Sequence, residues 1–325
     1  MAISSNDNRG LAEALLGDGR FLLSLTGMAL LLGGVFAVAQ SMSGQLLPHD
    51  MQALGMDAAM LRQKGSANLV RFMFHDRVAF GGTLLAIGIG YVWLAEFPMR
   101  EGAAWAYWTF TLSGSLGFLS FLAYLGYGYL DTWHGKATLL LLPVYLAGMW
   151  RARKLVAGPL TAASIWKIGS PPGQPGEGIG RKLLLFIALG LVGGGIAILF
   201  LGMTSIFVPP DLVFIGFQPA QLREISPVLL PLLAHDRVGL GGGVFSLGLL
   251  LVMMLRHASL SRSFVEVIAV MGSCGFITTL GVHFAIGYTD FMHLSPVYVG
   301  FIIFAIGTAM LARSLTAPRS LTAST

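Results

Sequence analysis

Two copies of one polar triplet stand in a very apolar chain. His75-Asp76-Arg77 lies in FMFHDRVAFGG, and His235-Asp236-Arg237 lies in LLAHDRVGLGG. A second polar motif also repeats: Gly128-Tyr129-x-Asp131-x-x-His134 returns as Gly287-Tyr288-x-Asp290-x-x-His293. Four of the seven histidines occupy these duplicated positions, while His49, His257 and His283 have no counterpart. Imidazoles from neighbouring helices can grip a haem iron from opposite faces, with an adjacent arginine pairing a propionate. On that reading His75 pairs with His134 and His235 with His293 as axial ligands of a b-type haem, and Arg77 and Arg237 hold its propionates. Gly81-Gly82 and Gly241-Gly242 would let the flat macrocycle approach the backbone.

Other chemistries use the same residues. Asp131-x-x-His134 and Asp290-x-x-His293 each place a carboxylate and an imidazole on one helical face. With His75 or His235 they would form a mixed site for non-haem iron, zinc or manganese. Ionisable residues at membrane depth also mark ion and proton paths, which makes a transporter, or an accessory subunit of a larger membrane complex, the alternative function. A purely structural reading stands beside these. Asp76 and Asp236 would cap helix N-termini, and adjacent helical residues point about 100° apart, so Asp76 would not share a partner with His75. Lone His283 reads as a packing residue.

The elements that must position these groups are membrane helices. The chain has 325 residues, 55% hydrophobic and 11% charged, with 43 glycines and a mean hydropathy of +0.76. Such a composition excludes an ordinary soluble domain. Crossing the hydrocarbon core takes roughly 20 residues, and apolar runs at 21–42, 77–97, 105–129, 137–150, 183–207, 238–255, 264–288 and 295–312 predict eight spans, the fourth short. The first span ends in AVAQS, yet it has an uncleaved internal counterpart in the fifth, so it reads as a retained helix. Cys274 is the single cysteine, which rules out an intramolecular disulfide.

Thirteen of the twenty Lys and Arg residues fall in segments that are cytoplasmic if the N-terminus is inside. The expected location is therefore the plasma (inner) membrane, with both termini cytoplasmic and the polar motifs at the outer face. The net charge of +5 then reports topology, and no basic stripe points to nucleic acid.

The duplication runs the length of the chain. Pro48-x-Asp50 recurs as Pro209-x-Asp211, and Gly114-Ser115-x-Gly117-Phe118 as Gly272-Ser273-x-Gly275-Phe276. This predicts an all-α protein of two tandem four-helix bundles, residues 1–152 and 181–325, related by a pseudo-twofold axis along the membrane normal. A Pro/Gly-rich cytoplasmic linker at 153–180, containing GSPPGQPGEG, joins them. Glycines such as Gly33-Gly34 and Gly193-Gly194-Gly195 are expected to let helices pack closely, and Tyr124, Tyr127, Tyr129 and Trp133 to form an interfacial belt. No P-loop, dinucleotide fingerprint or serine-hydrolase elbow occurs in a fitting context.

This arrangement resembles the haem A synthases, which also consist of two fused four-helix units with paired histidines near the outer ends of the second and fourth helix of each half. His75, His134, His235 and His293 fall where that pattern puts them, and His-x-Arg is a looser version of the family's His-Arg. The family's glutamate shortly before the first histidine, and the cysteine pair of many members, have no equivalent in this sequence. The resemblance implies haem-linked redox chemistry, as an oxidoreductase or an electron carrier, with the lipid bilayer and a quinone or other membrane redox subunits as partners.

Overall fold

The computed structural model describes residues 13, 16–120, 129, 132–161, 163–166 and 175–316. Among these every long element is a helix, and six helices are long and apolar enough to cross a membrane. The protein is an all-α, multi-pass membrane protein. In chain order the helices are α1 (Arg20–Met42), α2 (Pro48–Leu54), α3 (Ala58–Lys64), α4 (Ala67–Glu96), α5 (Ala104–Ser120), α6 (Thr132–Ala152) and α7 (Ala163–Trp166). They continue with α8 (Pro175–Met203), α9 (Pro209–Ile215), α10 (Pro219–Ile225), α11 (Leu229–His257), α12 (Arg262–Ile286) and α13 (Phe291–Thr316). The expected third and fourth spans correspond to α5, described over 17 residues, and α6, which opens on Trp133-His134-Gly135-Lys136; neither is among the six.

Two helices form the centre. In α4 and α11, 72% of the most apolar stretch is buried inside the protein, against 22% in α1 and 17% in α8. Central helices hidden from lipid can carry polar residues on more than one face, and the triplets are on these two. Helix α4 starts where Ser66 Oγ accepts the Leu69 N–H over 3.0 Å, and stops before Phe97, which precedes Pro98 and so disfavours the helical region. The triplet is therefore more than two turns inside α4 rather than at its mouth. The capping role expected for Asp76 belongs to Ser66.

Glycine sets the outer pairings. Helix α1 lies along α4 and α8 along α11, and at each seam backbone meets backbone. A Cβ on Gly34 would stand 2.7 Å from the Gly81 carbonyl oxygen, and one on Gly81 would stand 2.9 Å from that of Gly34. In the second seam a Cβ on Gly241 would stand 3.0 Å from the Gly195 carbonyl oxygen. Gly82 and Gly242 are closed by side chains instead, those of Thr278 and Ser120. The paired glycines after each triplet thus serve helix packing, not the approach of a macrocycle.

The decisive feature is an exchange of two helices, while α6 stays against α1 and α13 against α8. Helix α12 packs on α4, and α5 packs on α11. The third helix of each half therefore lies against the central helix of the other. Short helices α2, α3, α9 and α10 close one end of the bundle over a shared apolar core that includes Leu61, Phe72, Ile215 and Leu222. We call this the cap end. Ser66 Oγ and Asn68 Nδ2 tie the halves there, donating to the carbonyls of Ile215 and Phe214 at 3.0 Å each.

Candidate metal centre

Beneath the cap end the repeated motifs meet in one buried network. Arg77 Nε donates to Asp236 Oδ2 at 2.8 Å and its Nη1 to Asp50 Oδ2 at 2.6 Å. Arg237 does the reciprocal, Nε to Asp76 Oδ2 at 2.8 Å and Nη1 to Asp211 Oδ2 at 3.0 Å. Each triplet's arginine thus pairs with the other triplet's aspartate and with the aspartate of its own Pro-x-Asp motif. Two tyrosines complete it: Tyr129 Oη donates to Asp50 Oδ1, and Tyr288 Oη to Asp211 Oδ1 at 2.8 Å. Asp50 and Asp211 are fully buried. Such carboxylates are tolerated only because each accepts several charge-assisted bonds.

The Pro-x-Asp repeat is visible in the sequence, but its role is not. Local structure supplies it: proline opens a helix of about two turns, and the aspartate at its third position accepts the preceding backbone N–H, Leu47 to Asp50 at 3.3 Å and Val208 to Asp211 at 2.9 Å. The oxygen that caps the helix, Oδ2, also accepts from the arginine, and the second oxygen, Oδ1, is left for the tyrosine. Tyr129, expected in an interfacial belt, is buried at this network; Trp133 is 47% exposed, and Tyr124 and Tyr127 lie outside the described residues.

The aspartates also hold the histidines. His75 Nδ1 lies 2.9 Å from Asp76 Oδ1, and His235 Nδ1 lies 3.0 Å from Asp236 Oδ1. Adjacent residues on a helix do meet here, because both side chains bend towards the same buried space. A carboxylate engaged by arginine can only accept, so each Nδ1 carries the proton and each Nε2 faces away from the aspartate.

His75 Nε2 meets His283 Nε2 at 2.9 Å. The Nδ1 of His283 lies 2.6 Å from the Thr279 carbonyl, which is also purely an acceptor. With both Nδ1 protons committed, neutral rings would turn two lone pairs at each other. That contact is repulsive unless a proton or a cation sits between them. His293 joins the same place: one ligand nitrogen from each of His75, His283 and His293 lies within 4.8 Å of the other two. Aromatic rings wall the group, with Phe72 stacked on His75 at 5.9 Å and Tyr288 on His293 at 4.6 Å between centroids. Tyr288, outside the spans, has its hydroxyl pushed well above the ordinary tyrosine value by burial and the neighbouring Asp211, so it stays a donor.

The structure therefore changes the expected pairing. His75 stands with His293, centroids 6.4 Å apart, and His235 with His134, 5.4 Å apart. Both pairs cross between the halves, joining α4 to α13 and α11 to α6. His283 belongs to the first group, and the signal for it was present: a histidine inside an apolar span. Arg77 and Arg237, expected to hold propionates, bind carboxylates. Asp290 is exposed and caps α13, accepting the His293 N–H at 2.7 Å, instead of joining a metal site. Asp131 lies outside the described residues.

In two of the three imidazoles the far nitrogen is fixed, in His75 by a carboxylate and in His283 by a carbonyl, which is the usual outer support of a metal site. Four-coordinate binding with metal–nitrogen bonds of about 2.0–2.1 Å sets nitrogens about 3.3 Å apart. Small side-chain movements would meet that spacing. No known protein family matches the chain, nor does any curated protein or solved structure, so the likeness to haem A synthases rests on the topology and histidine placement expected from the sequence.

Proposed function

We propose that this is a membrane metalloprotein in which His75, His283 and His293 hold one iron or copper ion and use it for one-electron chemistry at the outer face of the plasma membrane. The observation that carries this reading is the 2.9 Å approach of two Nε2 atoms whose rings both have their Nδ1 protons committed. An all-imidazole set suits iron, copper and zinc better than manganese, which favours carboxylate oxygens. It suits a bare ion better than haem. Nitrogens on opposite sides of an iron would stand about 4 Å apart, given metal–imidazole bonds of about 2 Å, and rings in contact leave no room for a macrocycle between them.

The surrounding architecture in this reading is two four-helix repeats about a pseudo-twofold axis, with eight spans and both termini cytoplasmic. Support comes from the reciprocal Arg77–Asp236 and Arg237–Asp76 pairs and from the basic residues at the end away from the cap. The cap helices would then face outward, and the ion would lie within reach of an external partner.

The test is elemental analysis and electron paramagnetic resonance of protein purified in detergent. One iron or copper per chain is expected, lost in His75→Ala and His283→Ala and kept in His134→Ala. Zinc alone would leave the site and remove the redox role; a metal-free wild type that takes up no added iron or copper would end the reading.

A further inference from the structure

A cavity of about 330 Å³ lies between α1, α4, α5 and α6 of the first half and α11 of the second. It is a furrow. Phe74, Arg77, Phe80, Leu84, Ile87 and Tyr91 line it in steps of three or four along one face of α4, a stripe from residue 74 to residue 91 and so about 25 Å long at 1.5 Å per residue. Its polar groups gather at the cap end, where Gln40, His134, His235 and Asp236 contribute, while most of the remaining length is apolar. Phe36 and Trp133, stacked at 6.1 Å, flank the same end. They are 46% and 47% exposed, on the lipid side of the bundle, which gives the furrow a lateral mouth.

We propose that this furrow binds a quinone-class molecule, its ring at the cap end beside His134 and His235 and its chain running down α4 or out through the mouth. Two features select that class. The charges at its polar end are already matched, Arg77 by Asp236 and Asp50, so a phosphate gains little there and a neutral head is preferred. The polar end is walled by aromatic rings, which favour a planar ring over a plain alcohol. Pockets of this size with a few convergent polar groups are ordinary small-molecule sites. The proposal does not rest on the metal reading, since the three-histidine group is not among the residues lining the furrow.

The test uses the full chain in nanodiscs, titrated with decyl-ubiquinone while tryptophan fluorescence is followed, with decanol as the chain-only control. Saturable quenching is expected, largely absent in Trp133→Phe. A Cβ on Gly117 would have Ser246 Oγ as its nearest neighbour at 3.7 Å, so Gly117→Leu grows into the furrow; its counterpart Gly275 has nothing within 4 Å. Gly117→Leu should weaken binding by about tenfold or more, and Gly275→Leu should not. Ala137→Leu, on α6 at the furrow wall, gives a second block should the first variant not fold. Decanol competing as well as the quinone would make the furrow a general chain site and overturn the proposal. Absence of saturable binding, indifference to both blocks, or a haem absorption band lost in His134→Ala would overturn it as well.

Discussion

Arg237 Nε donates to Asp76 Oδ2 at 2.8 Å across a separation of 161 residues, and the other oxygen of the same carboxylate holds the Nδ1 proton of His75. One aspartate thus joins the halves of the protein and fixes the tautomer of a candidate ligand. Asp236 does the same for Arg77 and His235. A change at either position is felt in packing and in the histidine group together.

Asp76→Asn should therefore behave unlike the loss of a helix cap. Removing one partner of a buried pair costs about 3–5 kcal/mol because the other charge stays behind. Arg237→Leu should cost more, since it strands both Asp76 and the fully buried Asp211, and the double change to Asp76→Leu with Arg237→Leu should recover only the Asp76 part of it. In a variant that still folds, metal affinity should fall roughly 10- to 100-fold as the imidazole loses its anchor. Thermal unfolding and metal titration in detergent measure the two effects; a normal melting temperature for Asp76→Asn would break this account.

Metal should also stabilise the protein through mass action. Ion bound only to the folded state at a hundred times its dissociation constant adds about 2.7 kcal/mol. Melting should rise with added iron or copper, fall with a chelator, and lose both responses in His283→Phe. A wild type indifferent to chelator and metal would count against the site.

Membrane class, the duplicated motifs and their gathering at one end of the bundle could be read from the sequence, because apolar run length and exact repeats are local signals. The partners could not. His75 and His134 share a repeat, so proximity along the chain favoured pairing them, but α12 lies on α4 and α5 on α11. Helix exchange leaves no mark in hydropathy. The start of α4 was misplaced for a related reason: Ala67-Asn68-Leu69-Val70-Arg71 carries polar residues that dilute the apolar signal, and the Ser66 cap lies outside the apolar window. Asp50 and Asp211 showed up only as a repeated motif, since a counter-ion is recognised by where its arginine is.

Backbone contact at the α1–α4 seam separates two adjacent glycines. A Cβ at Gly34 would press on the Gly81 carbonyl at 2.7 Å, whereas one at Gly33 finds its nearest neighbour, Leu84 Cδ1, at 3.8 Å. Gly34→Ala should destabilise by about 1–3 kcal/mol, as overpacking does, and Gly33→Ala should be neutral or slightly stabilising through helix propensity. Equal melting temperatures for the two variants would mean that this seam is looser than described.

Asp50 lies outside the spans, and its titration gives a stability limb of known sign. Burial pushes its carboxyl up, but the Arg77 guanidinium beside it, with hydrogen bonds from Arg77 and Tyr129, holds it below the ordinary value of 3.8. A carboxylate whose folded value is depressed contributes stability that is complete above its unfolded value, about 3.9, and disappears as pH falls from there through the folded value. Melting should therefore show no Asp50 contribution to its pH dependence between pH 7 and 5, and a decline attributable to it only below about pH 4. Asp50→Asn should be less stable at neutral pH, because Arg77 loses one of its two counter-ions. It should also fall less steeply in acid, since it takes up one proton fewer on unfolding there. Melting curves of the two proteins from pH 7 to pH 3 decide the matter: parallel acid limbs would show that the Asp50 carboxylate is not what holds Arg77 in place.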